Sequence, residues 1–137
     1  MPEPEFEVRP SIMIGDTADV SFHRGITVLR NSKTNPRVTM EFSSTRSGVF
    51  CGIKEVMALL DKVLPKRDPE KRIRVSALEE GANVACGEIA LSITAPYSDF
   101  GLYETAISGT LAHSTGWATA SMECVTAASG IPVISIG

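Results

Sequence analysis

Apolar and polar positions along the first half of the chain predict two amphipathic helices. An irregular, proline-containing lead-in over residues 1–15 precedes the first of them. Residues 17–30 space their apolar side chains at helical intervals, with Thr17 as the expected N-cap and Asp19 in the first turn. Residues 53–63 repeat the pattern more regularly, at Ile53, Val56, Met57, Leu59, Leu60 and Val63.

Between and after these helices the pattern changes to one typical of strands. Residues 38–42 alternate apolar and polar side chains, and residues 49–52 form a second, shorter apolar stretch. A polar, charged loop over residues 65–72 leads into residues 73–93, where short apolar runs separated by turns predict a β-meander. We expect the last strand to end at Pro96, because proline cannot continue a hydrogen-bonded ladder.

A long helix is predicted from about Asp99, its candidate N-cap, to about Ala128. It is rich in Gly, Ala, Ser and Thr, so its neighbours are expected to pack closely against it. Its Gly and Thr residues weaken helix propensity, so tertiary contacts must stabilise it. The expected buried stripe consists of Phe100, Tyr103, Ile107, Leu111, Ser114, Ala118, Met122 and Val125.

The segment at residues 132–136 is apolar on both faces, which is typical of a parallel strand buried on both sides. Such a strand needs partner strands and crossover helices, and none follow it in this sequence. The pattern as a whole predicts an α+β fold: an antiparallel sheet with a long covering helix. We therefore expect residues 1–130 to form one domain and residues 131–137 to be the first strand of a second domain.

Charge is distributed unevenly between the two parts of the chain. All 13 lysines and arginines lie at or before Arg74, so every charged side chain in the back half is acidic. Those acids are Glu79, Glu80, Glu88, Asp99, Glu104 and Glu123. A polyphosphate site needs cations, a metal or a helix N-terminus, so this half is poorly equipped for one. Nucleic-acid binding is also disfavoured, because the basic residues alternate with acids instead of forming a patch.

The cysteines and the length of the apolar runs indicate the cellular compartment of the protein. Cys51, Cys86 and Cys124 are an odd set without C-x-x-C spacing, so we expect small buried thiols and neither a disulfide framework nor a metal site. No run of 18 apolar residues occurs, and the acidic start MPEPEFEVRP lacks the apolar region of a signal peptide. The sequence therefore predicts a cytoplasmic protein.

Several stretches together carry a family resemblance, of which P-Y-x-D-F-x-x-x-E-T-A is the most specific. They are DTADVSFHR from Asp16, NPRVTME from Asn35, EIALSITAPYSDFGLYET from Glu88, LAHSTGWAT from Leu111 and the terminal GIPVISIG. With these stretches the chain resembles the N-terminal part of a nicotinate phosphoribosyltransferase of the shorter archaeal-type branch. Its layout is also similar to the N-terminal domain of quinolinate phosphoribosyltransferases.

The resemblance implies a reaction that this chain cannot complete alone. Members of the family make nicotinate mononucleotide, in NAD biosynthesis, from nicotinate and phosphoribosyl pyrophosphate, often with ATP hydrolysis and magnesium. Their α+β N-terminal domain precedes an irregular (β/α) barrel, whose first strand is matched here by residues 133–137. The family's phosphate ligands lie beyond that strand. We therefore expect no catalytic residue and no bound cofactor in this chain, and no activity from the chain alone.

The resemblance also suggests candidate binding residues. In the family, a tyrosine of an N-terminal D-x-Y motif stacks on nicotinate across a dimer interface, and Ser21 occupies that place here. The expected substrate-side residues are Ser21, Phe22, His23 and Arg24. His113 and Thr119 are candidates for lining the mouth of the barrel, with a buried structural histidine as the alternative for His113. The implied partner is a second copy of the chain or a barrel-containing subunit.

Two other interpretations stay open at the level of sequence. Residues 75–96 resemble the hammerhead of lipoyl and biotinyl carrier domains, but those carriers need a modifiable lysine at a hairpin tip. No lysine follows Lys71, which argues against covalent carriage. An interaction fragment that pairs with a barrel-containing homologue is the third interpretation.

Overall fold

A computed structural model describes residues 6–64 and 72–136, so most of the predicted loop at residues 65–72 lies outside the described residues. The secondary structure is α+β, as predicted. In chain order the elements are α1 (Pro10–Met13), α2 (Val20–Asn31), β1 (Arg37–Ser43), β2 (Gly48–Val49), α3 (Ile53–Val63), β3 (Arg74–Ala77), β4 (Asn83–Val84), β5 (Ile89–Pro96), α4 (Tyr97–Phe100), a 3₁₀ turn (Gly101–Tyr103) and α5 (Glu104–Ala127).

The central sheet has three antiparallel strands in the order β1-β5-β3. On its inner face the register pairs Val38 with Ala95, Met40 with Ile93 and Phe42 with Leu91. The outer face is polar, and there the Thr39 and Thr94 hydroxyl oxygens lie 2.9 Å apart. This alternation is expected of an antiparallel sheet with one face on the core.

The predicted meander over residues 73–93 is wrong in its connectivity. Strand β3 pairs with β5, and β4 pairs instead with β2 in a separate two-stranded ladder. That ladder is extended by the Phe50 backbone, whose N–H donates to Ala82 O and whose carbonyl accepts from Gly81, both at 2.8 Å. Pairing between strands far apart in sequence depends on the tertiary fold and not on local pattern.

Helix α3 has the predicted bounds and lies in the hydrophobic core. Its side chains join those of β5 and the first part of α5 in one cluster. Among the described residues the buried members are Phe50, Ile53, Val56, Leu59, Leu60, Leu64, Val84, Ala90, Leu91, Ile93, Ala95, Phe100, Ile107 and Leu111.

Helix α2 begins at Val20, and the predicted cap Thr17 is wrong. Asp19 is the N-cap: its carboxylate accepts from the Ser21 backbone N–H at 2.8 Å. Aspartate ranks with the strongest N-cap residues, which explains why the helix starts there. The lead-in is also more ordered than expected, since it contains α1.

The long helix begins five residues later than its predicted cap. Asp99 lies within α4. Phe100 has a φ of −140°, which interrupts the helix before the 3₁₀ turn begins. The expected stripe is buried only as far as Leu111. Further along, Met122 and Val125 are 50% and 60% exposed. The second half of α5 therefore projects beyond the core.

The segment after α5 is exposed. Ile131–Ile136 has no regular secondary structure in the described residues, and Ile134 and Ile136 are 80% and 95% exposed. A strand needs a neighbouring strand, so the assignment of this segment to a second domain stays a prediction. Across residues 6–64 and 72–136, every helix is too short or too polar to cross a membrane.

Candidate functional site

A cleft of about 710 Å³ lies between the end of β1, the loop that follows it, and α5. Its lining combines apolar side chains with hydroxyl-bearing ones. The apolar side chains are Phe42, Phe50, Val84, Ala90, Leu111, Ala112 and Ala120. The hydroxyl-bearing side chains are Ser43, Ser44, Thr45, Ser47, Ser108, Thr115 and Thr119. A concave apolar surface with several polar groups is the usual form of a small-molecule site.

One wall of the cleft is fixed by hydrogen bonds between α5 and the backbone around β2. The Val49 N–H donates to Thr119 Oγ1 at 3.0 Å. Thr115 Oγ1 accepts from the Cys51 N–H at 3.1 Å and donates back to the Cys51 carbonyl at 3.2 Å. The small, hydroxyl-rich face of the long helix thus binds a neighbouring backbone directly, which confirms the close packing predicted on this side.

Two glycines make that approach possible. A β-carbon at Gly48 would overlap the Thr119 side chain. At Gly52 it would lie 2.9 Å from Ser114 Cβ, and the φ of +96° there already favours glycine. Side chains at these two positions would therefore push the segment away from α5 and change the shape of the cleft.

The Glu80 carboxylate fixes the far end of the same segment and caps α3. It accepts backbone N–H groups from Gly52 at 2.8 Å and Ile53 at 3.0 Å, and the Cys51 thiol at 2.7 Å. This role was missed in the sequence. The sequence did hold one sign of it, the absence of a capping residue: Gly52 precedes a strongly amphipathic helix, and no Ser, Thr, Asp or Asn stands there to cap it. A distant side chain therefore had to supply the cap.

These contacts shift the pKa values of both partners. Partial burial alone would raise the pKa of Glu80, but the hydrogen bonds from Cys51, Gly52, Lys54 and Ile53 outweigh it and lower the pKa. The Glu80 hydrogen bond, together with burial, raises the pKa of Cys51. The thiol is therefore held in its unreactive, protonated form.

The four predicted substrate-side residues lie at the start of α2, with two of them engaged in local contacts. Ser21 Oγ donates to the Asp19 carboxylate at 2.6 Å, and His23 Nε2 donates to Gly15 O at 2.8 Å. Phe22 is half-buried, whereas Arg24 is exposed and interacts electrostatically with Asp19. The Ser21 hydrogen bonds lower the pKa of Asp19.

The other two candidates are in a different place, on α5. Thr119 lines the cleft. His113 is exposed in this chain, and its ring meets the edge of Trp117 with centroids 6.3 Å apart. Burial of His113 beneath a barrel stays a prediction. Trp117 is itself 63% exposed. Whether any of these residues contacts a substrate stays a prediction.

The charged groups of the cleft define what it can hold. Glu41, Glu104 and Glu123 line it with a single cation, Arg46. Burial, reinforced by the charge of Glu104, also raises the pKa of the nearby Tyr97. A polyphosphate does not fit three carboxylates and one guanidinium. A small, neutral or weakly charged polar molecule fits the hydroxyls better.

The cysteines are less buried than predicted. Cys51 is half-buried, and Cys86 and Cys124 are exposed, each as a free thiol. Within the described residues no three His, Cys, Asp or Glu side chains are grouped closely enough to hold a metal ion.

The architecture is that of an α+β domain with a three-stranded antiparallel sheet and a long C-terminal helix. A family model described as "Quinolinate phosphoribosyl transferase, N-terminal domain" matches residues 19–115. The chain therefore belongs to the family of quinolinate phosphoribosyl transferase N-terminal domains. The similarity in layout to this family is confirmed, while the narrower assignment to nicotinate phosphoribosyltransferases stays a prediction.

Two solved structures share the fold. One is the crystal structure of nicotinate-nucleotide pyrophosphorylase from Pyrococcus furiosus, whose sequence is 32% identical to this chain and whose TM-score is 0.79. The match covers 100% of this chain and 35% of that chain. The other is the nicotinate-nucleotide pyrophosphorylase from Francisella tularensis, which is 11% identical with a TM-score of 0.61. That match covers 93% of this chain and 45% of the Francisella chain, and it shows the fold alone. No curated protein matches the sequence. The chain thus spans about a third of the Pyrococcus protein.

Proposed function

We propose that the chain is the N-terminal domain of a phosphoribosyltransferase of NAD biosynthesis that converts nicotinate and phosphoribosyl pyrophosphate to nicotinate mononucleotide. The observation that carries this proposal is the 32% identity to the Pyrococcus furiosus nicotinate-nucleotide pyrophosphorylase across all of this chain. A cytoplasmic location agrees with it, because phosphoribosyl pyrophosphate and ATP are cytoplasmic metabolites. Residues 131–137 are assigned to the start of a following barrel domain.

The charge distribution supports a division of labour in which the phosphates bind outside this domain. Residues 75–136 contain no lysine or arginine, and the cleft holds three carboxylates against Arg46. Stabilising a departing pyrophosphate is the main electrostatic task of such a transfer and requires cations or magnesium. The residues of the cleft therefore do not fit phosphoribosyl pyrophosphate or ATP. The chain alone is therefore expected to be inactive.

The small number of cations on α2 supports nicotinate over quinolinate. Nicotinate carries one carboxylate and quinolinate carries two, so quinolinate needs more cationic partners. Within residues 21–24 there is one arginine, Arg24, and the only other ionisable nitrogen group, His23, already donates to Gly15 O. Arg24 would pair with the single carboxylate of nicotinate. Ser21 stands where the family has a stacking tyrosine, and half-buried Phe22 would supply the apolar contact area in its place.

The exposed apolar end of the chain supports an oligomer or a barrel-containing partner. Trp117, Met122 and Val125 on α5 are each at least half exposed, and the apolar residues of 131–136 follow them. Exposed apolar side chains that together form a patch mark interaction sites, so we propose this end of the chain as one. We expect sedimentation of the purified chain to give a dimer or larger species. A stable monomer at all concentrations would contradict this.

A chimera tests the proposed reaction. This chain would replace the matching third of the Pyrococcus furiosus protein, and the product formed from nicotinate or from quinolinate would be separated by chromatography. We expect nicotinate to be the preferred substrate. Arg24→Ala should raise its KM about tenfold, the loss expected for one charge-assisted hydrogen bond. Arg30→Ala, an exposed arginine of the same helix, is the matched control.

The outcomes separate the parts of the proposal. A folded chimera that prefers quinolinate would overturn the choice of substrate while leaving the family assignment intact. A folded chimera without activity, next to an active Pyrococcus parent, would overturn the enzymatic role. Turnover by the isolated chain would contradict the division of labour between the two domains.

The carrier-domain alternative gains no support from the geometry. The tip between β4 and β5 is the turn that ends with Gly87 and Glu88, and the Glu88 carboxylate accepts the Ala85 N–H at 2.7 Å. A carrier needs a lysine at such a tip, and this turn has none. Mass spectrometry of the purified chain should therefore show no lipoyl or biotinyl addition.

A further inference from the structure

Helix α2 lies outside the hydrophobic core, although the chain on either side of it is part of that core. Val8, Ile12 and Met13 before it, and Val38 after it, pack against the core cluster of the described residues. None of the residues of α2 is buried, and Val20 and Val28 are 58% and 61% exposed. Its inner face, with Phe22, Ile26 and Leu29, is half-buried, so α2 has less apolar burial than α3 to oppose its detachment.

Fixed contacts bracket this helix on both sides. Before it, the Tyr103 hydroxyl donates to Met13 O at 3.2 Å. After it, Asn35 Oδ1 accepts from the Ser98 N–H at 3.0 Å, and Pro36 O accepts from Tyr97 N–H at 2.9 Å. Residues 13 and 35 are thus tied to α4 and the 3₁₀ turn independently of α2.

Between these anchors, the closed position depends on few interactions. The Asp19 N–H donates to Thr105 Oγ1 at 3.1 Å. The body of the helix lies against the 3₁₀ turn, and Gly25 faces the hydroxyl of Tyr97 in α4. At the far end Lys33 has a φ of +53°, in the left-handed region that a non-glycine residue enters at a cost. There the Lys33 N–H donates to Arg30 O and the Thr34 N–H donates to Leu29 O, a common helix ending that marks the far boundary of the segment.

We propose that residues 16–34 form a strap that opens and closes as a unit between the two anchors while the sheet and α3 stay folded. Opening breaks the hydrogen bond between Asp19 and Thr105 and the hydrogen bond between His23 and Gly15 O, and it withdraws Gly25 from Tyr97. It moves Ser21, Phe22, His23 and Arg24 together, because they share the first turns of α2. The proposal stands whether or not the assigned reaction is correct.

Native-state hydrogen exchange of the 137-residue chain tests the strap. Amides of α2 should exchange at least about tenfold faster than those of α3, and their rate should depend little on low concentrations of denaturant. Thr105→Val removes the acceptor of the Asp19 N–H and should speed exchange in α2 several-fold further, with α3 unchanged. Thr126→Val is the control, since its hydroxyl donates to Met122 O on an exposed part of α5.

The measurement has clear contrary results. If α2 and α3 exchange at the same rate in the unaltered chain and respond equally to denaturant, α2 opens only when the whole domain unfolds and the strap does not exist. If Thr105→Val speeds both helices equally, Thr105 stabilises the domain as a whole and is not a latch. Should that variant fail to fold, the comparison within the unaltered chain still decides the matter.

Discussion

Helices α2 and α3 look alike in the sequence but are stabilised in opposite ways. They have 12 and 11 residues, and both carry apolar side chains at helical spacing. Helix α3 buries Ile53, Val56, Leu59 and Leu60 and packs against α4 and α5. Helix α2 buries no residue and lies on the outside of the 3₁₀ turn. An amphipathic pattern predicts a helix, but the fold decides whether the apolar face reaches the core.

The two helices also differ in how they are capped. Asp19 caps α2 through a contact with Ser21, two residues away. The cap of α3 is Glu80, which lies 28 residues from Gly52 in the sequence. A local cap stabilises a helix whatever the rest of the chain does, whereas the Glu80 cap exists only in the folded domain. The cap of α3 is therefore tied to the whole fold, whereas the cap of α2 is local.

The largest expected difference between the helices comes from matched leucine truncations. Leu60 of α3 is 1% exposed, so Leu60→Ala should lower the free energy of unfolding by about 3 kcal/mol through lost burial and a cavity. Leu29→Ala in α2, where the side chain is half-buried, should cost less than about 1 kcal/mol. Urea unfolding measures both. Equal costs would remove the energetic distinction between the two helices.

Replacing the distant cap should have the next largest effect. Glu80→Gln keeps an acceptor but removes the charge, and we expect a loss of about 1 kcal/mol, as for other helix caps. Glu79→Gln, at the exposed neighbouring position, is the control and should change little. Chemical denaturation of both variants gives the comparison. A Glu80 variant as stable as the control would mean that the cap contributes nothing.

The same carboxylate predicts a pH dependence. The pKa of Glu80 is lowered in the fold from its ordinary value of 4.5. Its contribution to stability is therefore present above about pH 4.5 and is lost as the pH falls through the lower folded value. Unfolding midpoints between pH 6 and pH 3 should fall less steeply in Glu80→Gln than in the unaltered chain. Parallel curves would contradict the role of this charge.

The local cap of α2 should give the smallest effect on the whole domain. Asp19→Ala removes the acceptor for Ser21 but touches no core residue, so the unfolding midpoint should stay unchanged. Far-ultraviolet circular dichroism should show a small loss of helix, and hydrogen exchange should quicken in α2. Asp16→Ala, an exposed acid just before the cap, is the control. A fall in the midpoint would show that α2 supports the core after all.

The candidate site was predictable where it depends on residue type and unpredictable where it depends on pairing. The small, hydroxyl-bearing face of the long helix correctly indicated a closely packed neighbour, since Thr115 and Thr119 bind the backbone at Cys51 and Val49. The identity of that neighbour was not predictable, because it comes from a segment more than 60 residues earlier. The Glu80 cap was missed for the same reason.

The sequence by itself determined the bounds of α3, the presence of β1 and α5, and a back half without cations. These features depend on residue identity and short-range periodicity, which the chain carries locally. The tertiary structure alone decided that β4 pairs with β2 instead of β5, that Glu80 caps α3, and that α2 and the second half of α5 stay outside the core. Each of those outcomes depends on contacts between distant segments, whose free energies are settled only when the whole domain packs.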